Sequence, residues 1–104
     1  PAESRNSFVL LLETRFGLIA YFERNFEIAL THLLRVPKIS TSGFGYSDEA
    51  LYSFTLARTL YALGRPPEQA RVHAERAPEI YAAHGALYVG RAAEVREWLR
   101  ETLH

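Results

Sequence analysis

The stretch that most constrains the fold is residues 48 to 86, DEALYSFTLARTLYALGRPPEQARVHAERAPEIYAAHGA, which reads as two antiparallel helices joined by a tight turn. Ser47 followed by Asp48 and Glu49 suits a helix start, where unpaired amides and the positive end of the dipole favour a hydroxyl and acids. Ala50, Leu51, Phe54, Leu56, Ala57, Leu60, Tyr61 and Leu63 then cover most of the circumference, interrupted by a stripe of Thr55, Arg58 and Thr59. A helix apolar on more than one side needs neighbours on more than one side. Gly64 supplies the left-handed residue that ends it, and Pro67 suits the first turn of the next helix. That helix carries Ala70, Ala74 and Ala77 at spacings of four and three, a small-residue seam that lets two backbones approach. Pro78 removes a donor to Ala74 and is expected to kink it.

The rest of the chain is a weaker copy and a cap. Residues 1 to 6 are polar and expected to fray. Phe8, Leu11, Leu12, Phe16, Ile19 and Ala20 predict a helix over 7–23, with Gly17 inside it. A glycine there costs about 1 kcal/mol against alanine, so close packing is the reason to expect it. Arg24-Asn25 makes a turn, and Phe26, Ala29, Leu30, Leu33 and Leu34 give a second helix ending before Pro37. Residues 37–47, PKISTSGFGYS, form a loop. Its aromatics, Phe44 and Tyr46, either pack over the gap between hairpins or engage a partner. Residues 86–103 form a last helix, with Tyr88, Ala92, Val95 and Leu99 on one face and Trp98 beside them. Arg91, Glu94, Arg96, Glu97, Arg100 and Glu101 make its solvated side, with Glu94, Glu97 and Arg100 spaced for surface salt bridges. The expected class is all-α, a single domain over 1–104 of about five helices: a first hairpin at 7–36, a loop at 37–47, a second hairpin at 48–85 and a capping helix at 86–103.

Composition removes several function classes. The 104 residues carry 12 basic and 12 acidic side chains, so no global field steers the chain toward nucleic acid or an acidic membrane surface. The longest apolar run near the start, Phe8 to Leu12, is far short of the ~20 residues a membrane span needs. No cysteine is present, which removes disulfides, thiolate metal sites and cysteine nucleophiles. The chain begins at Pro1 and has no methionine, which leaves open that it is a piece of a longer protein.

The histidines at 32, 73, 84 and 104 are the metal or acid-base suspects. His73 and His84 share a stripe but stand 11 residues apart, roughly 16 Å along a straight helix, too far for one ion. Neither HxxxH nor HExxH occurs, so no metal site and no cofactor are expected. Gly43-Phe44-Gly45 lacks the Lys-Ser/Thr and the preceding strand of a phosphate loop and reads as a linker.

Residues 10–36 lie over residues 50–77 at an offset of 40, rising to 41 past the Pro66-Pro67 turn. Phe16-Gly17 matches Leu56-Ala57, and Ala29 matches Ala70. Two such units and a final amphipathic helix make the layout of a short helical solenoid with a cap. The pattern resembles the tetratricopeptide repeat family: Phe16-Gly17, the turn before Phe26, Ala29 and Leu33 fall at that family's signature positions, as do Leu56-Ala57, Gly64, Ala70, Ala74 and Ala77. The run HAERAPEIYAAHGALY, residues 73–88, is similar to terminal repeats of large bacterial regulators. The 37–47 loop stretches the usual period, and Glu13 stands where a large apolar residue is usual.

The resemblance implies a right-handed solenoid whose first helices line a concave groove that accepts a peptide or a partner's helix, in a cytoplasmic regulatory protein. Mapped through Gly17 and Ala57, the groove positions are Leu11, Thr14, Leu18, Tyr21 and Phe22, then Leu51, Phe54, Arg58 and Tyr61, with Arg15 and Thr55 nearby. The expected partner-binding set is Arg15, Leu18, Tyr21, Phe22, Phe54, Arg58 and Tyr61. Arginines amid aromatics suit a partner offering a carboxylate and apolar anchors. The alternative at each position is an aromatic facing the next helix and a merely solvated arginine. The leading expectation is a non-catalytic module binding protein or peptide, with no nucleic-acid or membrane partner. Self-association through Trp98 or the first helix (Leu10, Leu11, Leu18, Phe22) is the second, and a small helical enzyme or ligand sensor using a histidine–glutamate pair the third.

Overall fold

The computed structural model describes residues 2–36, 46–83 and 89–103. These form five helices: α1 (Ala2–Phe22), α2 (Phe26–Leu33), α3 (Tyr46–Ala62), α4 (Pro67–Ala83) and α5 (Val89–Thr102), with no strand among the described residues. The all-α class and the helix count follow the sequence. Several boundaries do not. Residues 2–6, expected to fray, belong to α1. Ser47, expected as the cap, lies one residue inside α3. The second helix of the first hairpin stops at Leu33, with a short turn through Val36. Phe44, the side chain of Tyr46, and the 84–88 link to α5 lie outside the described residues.

Central to the domain is α3, which packs against α1, α2 and α4, as the apolar pattern around its circumference requires. Leu56 and Leu60 meet Leu30 and Leu33 of α2. Ala50 and Phe54 join Ala77 and Tyr81 of α4 and Ala92 and Val95 of α5. Ala57 meets Ala70 and Ala74, with Leu103 closing that cluster. The α3–α4 seam is alanine against alanine and is the most extensive helix pair in the domain. Within α4 the ring of Pro78 is buried and the helix continues through it to Ala83.

The Thr55/Thr59 stripe, read as a polar interruption, is fully buried. Thr55 donates to the carbonyl of Leu51 at 2.7 Å and Thr59 to that of Thr55 at 2.8 Å. Bonding back to their own helix satisfies the hydroxyls, so both threonines enter the core without an external partner. Binary patterning cannot see this, because it counts threonine as polar.

The hairpin turns are built alike. At the end of α3, Gly64 takes φ 73°, its amide donates to Tyr61 O at 3.0 Å, and the Arg65 amide donates to Leu60 O at 3.0 Å. At the end of α1, Arg24 takes φ 64°, its amide donates to Tyr21 O at 3.0 Å, and the Asn25 amide donates to Ala20 O at 2.8 Å. Both are Schellman caps, 40 residues apart. An arginine in the left-handed region carries strain that glycine does not. Arg24→Gly is therefore expected to stabilise the domain by about 1 kcal/mol, read as an upward shift of the urea midpoint at unchanged slope. A lowered midpoint would mean that the Arg24 side chain outweighs its backbone strain.

Candidate partner-binding groove

Arg58 organises the surface formed by α1, α3 and α5. It projects from the middle of α3, one turn after Phe54, and its guanidinium carbon lies 4.1 Å from the centre of that ring. From α1, the rings of Tyr21 and Phe22 approach the same carbon at 4.8 and 5.7 Å. A cation among three aromatic faces gains from each ring quadrupole while losing water. Burial accordingly pulls the Arg58 pKa below its ordinary value, while Tyr21, Glu94 and Tyr81 act in the opposite sense. The Arg58 Nε is buried with no hydrogen-bond acceptor among the described residues. A buried donor left unpaired costs about 1–3 kcal/mol, more for a charged group, and any group that supplied an acceptor would recover part of it.

Two hollows share Arg58 and Phe22. One, of about 210 Å³, is lined by Leu18 and Phe22 of α1, Leu51, Phe54 and Arg58 of α3, Tyr81 of α4, and Arg91, Glu94 and Val95 of α5. The other, about 480 Å³, runs toward the hairpin turns: Tyr21, Phe22, Arg24, Phe26, Arg58, Tyr61 and Ala62 line it with Trp98 and Thr102 of α5. Trp98 fixes this wall, meeting Phe54 and Tyr61 edge-on with centroids 5.7 and 6.0 Å apart. Phe22 and Tyr61 remain 66% and 46% exposed, so large apolar surface faces the groove uncovered. The hollows meet at Arg58 and Phe22 in a trough of mixed character, with Arg91 and Glu94 at one end and Arg24 at the other.

Chain comparisons add no relative to this picture. No protein family, curated protein or solved structure matches the chain.

The structure brings six residues of the expected set, Leu18, Tyr21, Phe22, Phe54, Arg58 and Tyr61, to one surface. Arg15 is exposed and lines neither hollow. Thr14 and Thr55 are fully buried rather than groove-facing. Sequence reading missed the contribution of α4 and α5. Arg91 and Glu94 looked like a solvated face. They are indeed exposed, but on the groove's rim. Trp98 was the available signal, a large aromatic beside rather than within its helix's apolar stripe.

Of the histidines, His32 does meet a carboxylate: its Nδ1 lies 2.9 Å from Glu13 Oε2, and Arg35 Nη1 lies 3.5 Å from Glu13 Oε1. The imidazole also packs on Phe16 at 5.5 Å. Glu13 is thus half-buried and paired between α1 and α2, not on a solvated face. This explains how a carboxylate stands where the resemblance calls for an apolar side chain. Burial, with Arg76 beside it, lowers the pKa of His73 on α4. Among the described residues, no cluster of three or more His, Cys, Asp or Glu could hold a metal ion, and no helix is long and apolar enough to cross a membrane.

Proposed function

We propose that this domain is a non-catalytic interaction module that takes a peptide segment or helix of a partner protein into the groove over α3. The observation carrying the reading is Arg58, desolvated beneath Tyr21, Phe22 and Phe54 with its Nε lacking an acceptor, in a trough that leaves Phe22 and Tyr61 uncovered. A partner that offers an acceptor to Arg58 and apolar side chains to either hollow gains by both routes.

The same reading takes the two hairpins as tetratricopeptide-like repeats with α5 as a cap. The equal Schellman turns and the matched burial of Ala29 with Ala70, Leu33 with Ala74 and Val36 with Ala77 support it. A place within a larger bacterial regulator in the cytoplasm belongs to this reading as well.

Its test is capture from host lysate by the purified domain beside an Arg58→Ala, Tyr61→Ala variant of unchanged helicity. A protein held by the wild type and released by the variant, with at least tenfold weaker binding when purified, is the expected result. Equal retention by both would sink the groove reading.

A further inference from the structure

Two turns of the same geometry close the two hairpins, and they differ in the residue that takes the left-handed conformation. At the end of α3 it is Gly64, which lines neither hollow. At the end of α1 it is Arg24, held at φ 64°, where a side chain carries strain that glycine avoids. Strained residues of this kind cluster at ligand-binding and switch regions. Arg24 lines the larger hollow, and among the described residues no hydrogen bond or ion pair holds its guanidinium. The chemistry of that hollow is one-sided. Among the described residues, its wall holds two arginines, Arg24 and Arg58, five aromatic side chains and no carboxylate. Glu94 borders the smaller hollow instead. The chain as a whole has no net charge, so this excess of cations is local. At about 480 Å³ the hollow lies within the size range of ligand sites.

We propose that Arg24 and Arg58 form a paired cation site for one carboxylate of the partner, an aspartate or glutamate flanked by large apolar residues. The carboxylate pairs with the two guanidinium groups, and the flanking side chains cover Phe22, Tyr61 and Trp98. This rests on reading the groove as a peptide site. It adds the class of peptide, and a binding residue that stands in a turn rather than on a helix. It also gives Arg24 two opposed effects. Relieving the strain stabilises the fold, and removing the cation weakens binding.

A phage-displayed library of random peptides, selected on the purified domain, supplies the probe. The expected sequences share an acidic residue flanked by leucine, phenylalanine or tryptophan. A synthetic peptide of the selected sequence is then titrated by fluorescence anisotropy. Arg24→Gly weakens its binding about fivefold while the urea midpoint of the domain does not fall, so the loss is not one of folding. Arg24→Gln weakens it to a similar extent, and Arg24→Lys, which keeps the charge, stays within about twofold of wild type. Peptides that are lost on Arg58→Ala, Tyr61→Ala but share no acidic residue overturn this pairing and leave the groove standing. So does a peptide that Arg24→Gly or Arg24→Gln binds as tightly as the wild type does. A selection that yields no peptide dependent on Arg58 and Tyr61 overturns the pairing and the groove together.

Discussion

Replacing Gly17 with alanine lowers the stability of the domain by about 2 kcal/mol and its melting temperature by roughly 10 °C, although alanine is the better helix former by about 1 kcal/mol. A Cβ built on Gly17 meets Leu33 Cδ2 and Cγ at 2.8 Å, and Leu33 is fully buried, so the collision is with the branch point of a side chain that has nowhere to go. The second hairpin shows why. There the counterparts of Gly17 and Leu33 are Ala57 and Ala74, both fully buried, so that seam sets a methyl against a methyl where the first sets a leucine on a glycine. The double variant Gly17→Ala, Leu33→Ala rewrites the first seam in the alanines of the second. Leu33→Ala alone costs about 3 kcal/mol through the cavity it leaves. The added methyl is then harmless, and denaturant titrations of the four proteins give a coupling of about 2 kcal/mol. Additive losses would mean that the Gly17 contact is not what limits the seam.

The second large effect is at the cap. Trp98→Ala removes about 3 kcal/mol, because one side chain serves two clusters and forms the groove's outer wall. Its ring meets Phe54 and Tyr61 of α3, while Leu99 and Leu103 beside it reach the α4 alanines, and Arg71 donates to the carbonyl of Leu103. Hydrogen exchange is expected to show α5 opening first in the variant, with protection in α3 and α4 falling only as far as global stability falls. Trp98→Phe recovers part of the loss. A variant with unchanged exchange in α5 would show the helix held by its other contacts.

What could be read from the sequence followed how the side chains act. The turn and the seam of the α3–α4 hairpin were legible: a glycine with φ above zero, a proline at a helix start and alanines at helical spacing each have one dominant structural use. Of the groove residues, Phe54, Arg58 and Tyr61 came from mapping the resemblance onto α3, and Leu18, Tyr21 and Phe22 from carrying it back 40 positions onto α1. The failures share a physical cause, since each involves a side chain whose behaviour depends on a partner that sequence spacing does not name. Thr55 and Thr59 are core because their hydroxyls turn back on their own helix. Glu13 is half-buried because His32 and Arg35, a helix away, receive it. Arg91 and Glu94 border the groove only because α5 packs where Val95 and Trp98 take it. Arg15 was drawn into the groove by its neighbours in sequence, but it is exposed and lines neither hollow.

The unequal links between helices also impose an order in time. Four residues, 63–66, separate α3 from α4, and their Schellman turn forms from local contacts alone, so the alanine seam closes at small entropic cost. Joining α2 to α3 requires closure across the twelve residues 34–45, and only then do Leu30 and Leu33 meet Leu56 and Leu60. The first hairpin closes as locally, across the three residues 23–25 with a turn of the same kind, so each hairpin is expected to form on its own and their docking to come late. Substitutions within either hairpin seam are then expected to act on the folding rate, and those where Leu30 and Leu33 meet Leu56 and Leu60 on the unfolding rate. Arg58 gains its cover of Tyr21 and Phe22 only in that last step.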